Sequence, residues 1–444
     1  MPTRITYCNG DKAFVSPVRI TTITPTETVG SATPAGQATQ TSIVKHGAMV
    51  NPGIGGHAGQ GFTNVVGTDT GVAYDASKKL TLPLEFTTGQ EGSIVKSIFK
   101  EDLPGNGHPS LKALAVLTIV ATAPPAGAFR PAVSSTDKTS YWTEPDDLID
   151  VTTLPNRTII PGGPAVSSVI GAIKNWQPSS WTHGDPTSSV NADYNNPFGA
   201  YPVRDIGPYV AAAIQMLTMA YTAGQKRDLA VCLCQMGIDV LGFLQNFTGG
   251  LDYGGVAGQG ALGGVVQRGY KLALGVAGLL LDDAGMKAYA NFATHQPFGE
   301  DGMYGYVSAG MVAADQSVIG FGPGRDNYTS GELGAPEWTS ANRLHAAYVN
   351  VGDRKEGASY RAVCSQYCVS HAMASHMFPG LSAVLNNQCA LDYPDRIMER
   401  TFFNGSGTNK WARSLIGTNA PSAWDKAVWD AYRTEGGMPA IWNW

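Results

Sequence analysis

The chain has 444 residues, of which 43% are hydrophobic, and a net charge of −5. This length exceeds what one hydrophobic core usually serves, so more than one domain is expected, and the composition excludes a chain too polar to fold. The acidic balance, without any run of Lys and Arg, excludes a nucleic-acid binder, which needs positive charge to displace counterions from phosphate.

The first 125 residues show the alternation of apolar and polar residues that is typical of strands. Val18–Ile23 shows it first, and Leu80–Phe86 and Ser93–Phe99 repeat it between Gly, Pro or Asp residues. Leu111–Thr122 is almost continuously apolar with β-branched residues, which predicts a strand buried on both faces. These segments predict a β-sandwich domain over residues 1–125.

The amino terminus and the cysteines bear on the compartment. Residues 1–12 lack the apolar core of a secretory signal. Either the protein is not exported by that route or a leader was removed, and in the second case an extracellular or periplasmic location is expected. Six cysteines in a chain of this length do not form a disulfide framework. Cys232 and Cys234 lie on different faces of a predicted helix, so no bond between them is expected.

Residues 126–203 are rich in Pro, Ser, Asn and Trp and predict an irregular connection, which in a compact protein is usually functional. Residues 204–444 predict a helical domain. Short connections containing Gly favour antiparallel hairpins, arranged as a bundle or an α/α toroid. No segment is long and apolar enough to cross a membrane. The predicted helices are Ile206–Tyr221, Gln225–Gln245, Gly263–Asp282, Asn342–Val349, Ala358–Phe378, Asp392–Phe402 and Ser422–Tyr432.

The densest group of polar and aromatic residues lies at 181–205, directly before the helical part. A sugar-binding site needs flat rings for the C–H faces of the sugar, and amides or carboxylates for its hydroxyls. The charged fraction of only 15% also suits a hydroxylated partner. The alternative is a loop whose Asn and Ser side chains cap turns. The candidates in this segment are Trp181, His183, Tyr194, Asn195, Tyr201 and Arg204.

The alternation of Asn191, Asp193 and Asn195 resembles the start of a calcium-binding loop. An EF-hand next requires Gly at its sixth position and Glu at its twelfth, where this chain has Asn196 and Pro202. An EF-hand is therefore excluded. An irregular calcium site stays open as an alternative, and no other cofactor is expected.

Two further groups of candidates lie in the helical part. Arg268, Tyr270 and Lys271 enter an otherwise apolar helix and would suit an anionic sugar chain, or would simply extend their charged ends to the surface. Glu337 and Trp338 place a carboxylate beside a stacking ring. A glycosidase needs a second carboxylate facing the first. The residues that complete this group are His345 and, as second carboxylates, Glu300, Asp301 or Asp193.

Cys364, Cys368 and His371 fall on one face of a predicted helix. Three such ligands would suit zinc. No CxxC pair accompanies them, and free Cys is a common core residue, so packing in the core is the favoured interpretation. The chain also lacks the GxSxG, Walker, HExxH and strand-linked GxGxxG motifs.

Several short segments carry a resemblance to known proteins. They are Asn9-Gly10-Asp11, Pro17-Val18-Arg19-Ile20, Met49-Val50-Asn51-Pro52, Gln60-Gly61-Phe62, Ala123–Pro131 and, in the helical part, Asp392-Tyr393-Pro394-Asp395-Arg396. The first five resemble the N-terminal β-domain of uncharacterised bacterial proteins, and the last is similar to a segment of α/α-toroid polysaccharide lyases. The resemblance implies a carbohydrate-active enzyme. Those lyases use Tyr with His, Asn or Arg, and this chain matches the residue types but no motif.

The function that these patterns favour is a polysaccharide lyase that cleaves a uronate-containing chain by β-elimination. Two alternatives stay open: a glycoside hydrolase on the same scaffold, and a non-catalytic glycan-binding or structural protein of a cell surface or a virion. A polysaccharide is the expected partner, and neither nucleic acid nor a membrane is expected. The catalytic candidates are His183, Tyr194, Arg204, Tyr270 and Glu337; the substrate-binding candidates are Arg130, Trp181, Asn195, Tyr201, Arg268, Lys271, Trp338 and His345.

Overall fold

The structure is a computed structural model, and it combines small sheets with helices, which confirms the mixed α+β class. The β-sandwich and the α/α toroid stay predictions, as do the domain boundaries. The residues that the structure describes are 2–33, 35–36, 38–52, 65–66, 69–70, 79–102, 111–174, 176–177, 190–191, 203–246, 269–295, 298, 304–310, 330–338, 359–398 and 422–435.

Most of the described strands belong to the first 120 residues. They are β1 Arg4–Thr6, β2 Lys12–Val15, β3 Val18–Ile20, β4 Thr28–Ala32, β5 Gln40–Lys45, β6 Ala48–Val50, β7 Val65–Val66, β8 Asp69–Thr70, β9 Leu84–Phe86, β10 Gly92–Phe99, β11 Leu111–Val120, β12 Trp176–Gln177, β13 Val190–Asn191, β14 Tyr304–Tyr306 and β15 Pro336–Trp338. The largest sheet has the order β1-β2-β11-β10-β6. Its neighbours pair antiparallel except for β11 and β2, which run parallel. The remaining strands form two-stranded sheets.

The two faces of the five-stranded sheet have different partners. Phe14 and Ile119 are cross-strand neighbours and join a hydrophobic cluster with residues of β3 and β9. Ala13, the preceding residue on β2, instead packs with Ala128 in the segment after β11. This is the alternation that a strand with two covered faces requires.

β11 is less buried than its sequence predicts. Its end at 118–120 is buried, whereas Lys112 and Ala115 are exposed. The reason is the strand pairing. β2 pairs only with Leu117–Val120, and the earlier residues pair with β10 alone among the described strands.

The described helices lie mainly in the second half of the chain. They are α1 Glu144–Asp147, α2 Val166–Lys174, α3 Val203–Leu217, α4 Ala223–Asn246, α5 Tyr270–Leu280, α6 Ala284–Ala290, α7 Ser359–Met377, α8 Leu381–Leu385, α9 Gln388–Met398 and α10 Ala423–Tyr432. The centre of the core is formed by α4 with α5 and α3 with α7. By length and composition α4 would be able to cross a membrane, but 83% of its apolar window is buried inside the protein, as in a core helix.

The long helices match their predicted positions, apart from predicted segments outside the described residues, such as Asn342–Val349. α5 ends at Leu280 because Asp282 has a positive φ of 49° and cannot continue the helix. The segment 126–203 contains α2, although its composition predicted an irregular connection. α2 buries only Val169 and Ile173, which gives too short a periodic signal to stand out among Pro and Ser.

Candidate functional site

The structure describes only some of the side chains that the sequence singles out. Arg204 lies in α3, and Glu337 and Trp338 lie in β15, but their side chains are outside the described part. The roles assigned to all of these residues stay predictions. The candidates wholly outside the described residues are Trp181, His183, Asp193, Tyr194, Asn195, Tyr201, Arg268, Glu300, Asp301 and His345.

Tyr270 and Lys271 form the first turn of α5. Gly269 precedes them with a left-handed φ of 77°, and a side chain at this position would collide with the Gly207 backbone. Only glycine adopts this conformation at low cost, so the sequence places the start of α5 at this point. Both side chains are buried, and the Lys271 ammonium lies 5.6 Å from the centre of the Phe292 ring. A positive charge at this place is attracted by the electron-rich face of the ring.

His371 lies in the interior, on α7. Only 6% of the residue is exposed. Burial, the charge of Lys271 and the charge of His376 lower the pKa of His371 to about 3. The imidazole is therefore neutral at pH 7. Within the part of the chain that the structure describes, no hydrogen bond engages its ring nitrogens.

The same face of α7 carries Cys368, one turn before His371. Its sulfur lies 3.0 Å from the hydroxyl of Tyr304 on β14, and both residues are buried in the main core. Packing in the core, the favoured interpretation, is confirmed for Cys368. The side chain of Cys364 is outside the described part, and the described His, Cys, Asp and Glu residues form no group of three that could hold a metal.

Tyr306 lies two residues after Tyr304, on the same face of β14. Its hydroxyl donates a hydrogen bond of 2.8 Å to Asp392 on α9, and Gln388 donates to the other oxygen of that carboxylate at 2.6 Å. Burial and the acceptor carboxylate raise the pKa of Tyr306, so its hydroxyl stays protonated. Sequence reasoning missed this group, although the Tyr304-Gly305-Tyr306 alternation is a period-two signal of a strand.

Arg130 lies where the β-rich part meets the helical part. Its guanidinium donates to Asp11 at 2.7 Å and to both oxygens of Asp239 on α4, at 2.9 and 2.5 Å. Gln235 accepts from the backbone N–H of Arg130 and donates to its carbonyl. The side chain is 4% exposed, so its described partners are those of a structural ion pair. Its assignment to substrate binding stays a prediction.

Lys138 belongs to the same junction. Its ammonium donates to the carbonyl oxygens of Ala132 and Val133, at 2.5 and 3.2 Å. Burial and the charge of Arg130 lower the pKa of Lys138 to about 7. The lysine thus holds the segment that follows Arg130 in place, although burial of its amine costs solvation free energy.

No family model matches the sequence, and no curated protein or solved structure is significantly similar to it. The functional proposal therefore depends on the described side chains and on general chemistry.

Proposed function

We propose that the protein cleaves a uronate-containing polysaccharide by β-elimination, at the group formed by Tyr270, Lys271 and His371. The observation that supports this function is the electrostatic interaction between Lys271 and His371, both of which are buried. They come from α5 and α7, yet the lysine charge lowers the pKa of the imidazole. A cation that interacts with a neutral proton acceptor is the pair that this reaction needs.

The reaction begins with the proton on C5 of the uronate, which is weakly acidic while the neighbouring carboxylate is charged. An ammonium at Lys271 would neutralise that carboxylate and stabilise the enolate-like intermediate. The electron pair then forms the C4=C5 double bond, and the bond from C4 to the leaving oxygen breaks. His371 would accept the C5 proton, and Tyr270 would donate a proton to the leaving oxygen.

A substrate carboxylate would also change the pKa of His371. In the absence of substrate, burial and the charges of Lys271 and His376 disfavour the imidazolium. A bound carboxylate brings an opposite charge, which favours the protonated form and raises the pKa of His371. The imidazole would therefore become a stronger base when substrate is present.

The burial of the group favours a second candidate, a non-catalytic structural or glycan-binding protein. Tyr270 and Lys271 are exposed by no more than 3%. A cluster whose only role is packing would be buried to the same extent, because buried polar groups can also stabilise a fold.

The test is incubation of the purified protein with polygalacturonate, alginate, heparosan and hyaluronate. We expect ultraviolet absorbance from unsaturated uronate on one of them. On that substrate, His371→Ala and Tyr270→Phe should each lower kcat by about 10²–10⁴. Lys271→Met should lower kcat/KM by a similar factor, since it removes stabilisation of the transition state.

His295→Ala is the matched control, since His295 is a half-buried histidine stacked on Tyr289 outside this group. It should retain wild-type activity. Full activity of His371→Ala would overturn the assignment of the base. Reducing ends without unsaturated product would indicate the hydrolase, and binding without turnover the second candidate.

A further inference from the structure

Tyr306 is more exposed than most of the described tyrosines. It is 41% exposed, although it has a defined hydrogen-bond partner. Its neighbour Tyr304 points to the same side of the strand but is buried against Cys368. One tyrosine thus anchors β14 to α7, while the other holds a large part of its ring in solvent.

The partners of Tyr306 fix the ring in place. Asp392 is only 8% exposed and accepts hydrogen bonds from both Tyr306 and Gln388. Gln388 is exposed on the first turn of α9, so its amide is accessible beside the ring. A ring held by a buried carboxylate loses little further rotamer entropy when a ligand stacks on it.

We propose that Tyr306, Gln388 and Asp392 form a binding subsite for an uncharged pyranose of the polysaccharide. The ring offers a flat apolar surface for the C–H face of a sugar, and the exposed amide of Gln388 offers hydrogen bonds for its hydroxyls. The inference deepens the proposed function and rests on it for the link to cleavage. Its binding part is independent of any reaction.

The charge of the subsite decides which sugar it accepts. The Asp392 carboxylate repels the carboxylate of a uronate, whereas Lys271 attracts it. The two places therefore select different sugars. The subsite favours a neutral unit, so the substrate is a heteropolysaccharide in which a neutral sugar lies near the cleaved uronate.

β14 carries Tyr306 of the subsite and also contacts α7, the helix of His371. Tyr304 contacts Cys368, and Cys368 and His371 are separated by one turn of α7, about 5–6 Å. Tyr306 lies two residues along β14 from Tyr304, about 7 Å. The subsite and the proposed reaction centre are therefore linked through β14 and α7.

The experiment measures binding by saturation-transfer NMR and calorimetry. The probes are the neutral oligosaccharides cellohexaose, xylohexaose and mannohexaose, and all-uronate oligogalacturonate as the charged comparison. We expect at least one neutral probe to bind, and Tyr306→Ala to weaken it about tenfold, the upper range for a lost aromatic contact. Tyr306→Phe should retain most of the affinity, since the ring stays.

Two further variants complete the test. Leu333→Ala removes another exposed apolar side chain, near β15, and should leave binding unchanged. Asp392→Asn should strengthen oligogalacturonate binding severalfold, because the repelling charge is gone. The proposal is overturned if no neutral probe binds, if Tyr306→Ala binds like the wild type, or if Leu333→Ala weakens binding equally. Loss of the lyase reaction alone would leave these binding results standing.

Discussion

At the scale of single residues, two buried histidines couple stability to pH. Burial lowers the pKa of His371 to about 3 and that of His376 to about 4, in both cases with help from neighbouring cations. In the unfolded chain both would titrate near 6.5. As the pH falls below 6.5, these two imidazoles bind protons in the unfolded chain but not in the folded protein. The free energy of unfolding therefore decreases.

The carboxyl of Asp425 has the opposite effect on the pH dependence of stability. Burial raises the pKa of Asp425 to about 6, so the folded protein binds this proton before the unfolded chain does and gains stability as the pH falls. Between pH 6 and pH 4 it offsets one of the two histidines. A net loss of roughly 1 kcal/mol per pH unit remains from these three groups.

The prediction is that His371→Asn makes stability less dependent on pH. The variant removes one of the two histidines, so between pH 6 and pH 4.5 the slope of unfolding free energy should decrease by about one proton. Urea unfolding at several pH values measures it. His295→Asn, at a half-buried position, should keep the wild-type slope. Equal slopes for His371→Asn and the wild type would contradict the burial of a neutral imidazole.

At the scale of elements, sequence periodicity located the long helices but not the short ones. α4 begins at Ala223 and ends at Asn246, close to its predicted bounds, because its apolar residues repeat over many turns. α8 has only five residues and depends on Gly380, whose φ of 80° starts it. Such a helix exists through its contacts with α5, which a local pattern does not reveal.

The candidate site was predictable only in part, for a related reason. Lys271 and Tyr270 stand out because polar residues interrupt an apolar run. His371 was noticed as a possible zinc ligand and only as a fallback catalytic residue, and its interaction with Lys271 depends on how two separate helices are placed in the fold. Tyr306 and Asp392 are separated by 86 positions, so no spacing rule connects them. Tertiary contacts decide such pairs.

α9 and α10 are joined by a buried ion pair. Arg433 at the end of α10 donates to both oxygens of Asp395, at 2.8 and 2.7 Å, and neither side chain is more than 2% exposed. Arg433 also lies over the Trp429 ring. Asp395→Asn would remove the carboxylate that pairs with a buried cation, so we expect a loss of roughly 3–5 kcal/mol in unfolding free energy.

The matched control is Asp430→Asn on α10. Asp430 pairs with Lys426 at the surface, where both side chains are more than a third exposed. Surface pairs contribute about 1 kcal/mol or less, so this variant should differ little from the wild type. Chemical denaturation followed by tryptophan fluorescence compares the two. Similar losses of unfolding free energy in both variants would show that the buried Arg433 pair contributes no more to stability than the surface pair.

At the scale of the whole molecule, the junction around Arg130 couples the β-rich part to the helices. The guanidinium bonds Asp11, between β1 and β2, and Asp239 on α4 at the same time. The Cys8 backbone N–H also donates to the Ala128 carbonyl. Because the charges are desolvated, they are stable only while both parts are in place. We therefore expect the two parts to unfold together in the wild type.

Asp239→Asn should separate the two unfolding events. All nine tryptophans lie at position 142 or later, so their fluorescence reports the part of the chain that follows the β-rich residues. Hydrogen exchange of β10 and β11 reports the sheet. In the wild type, both signals should change at the same urea concentration. In the variant the sheet should lose protection at a lower urea concentration than the one at which the fluorescence changes. The reason is that, of the two described carboxylates that pair with Arg130, only Asp11 keeps its charge. Asp228→Asn, at an exposed position of α4, should leave the transitions coincident. Coincident transitions in Asp239→Asn as well would show that apolar contacts such as the packing of Phe129 on the helices are enough to couple the two parts.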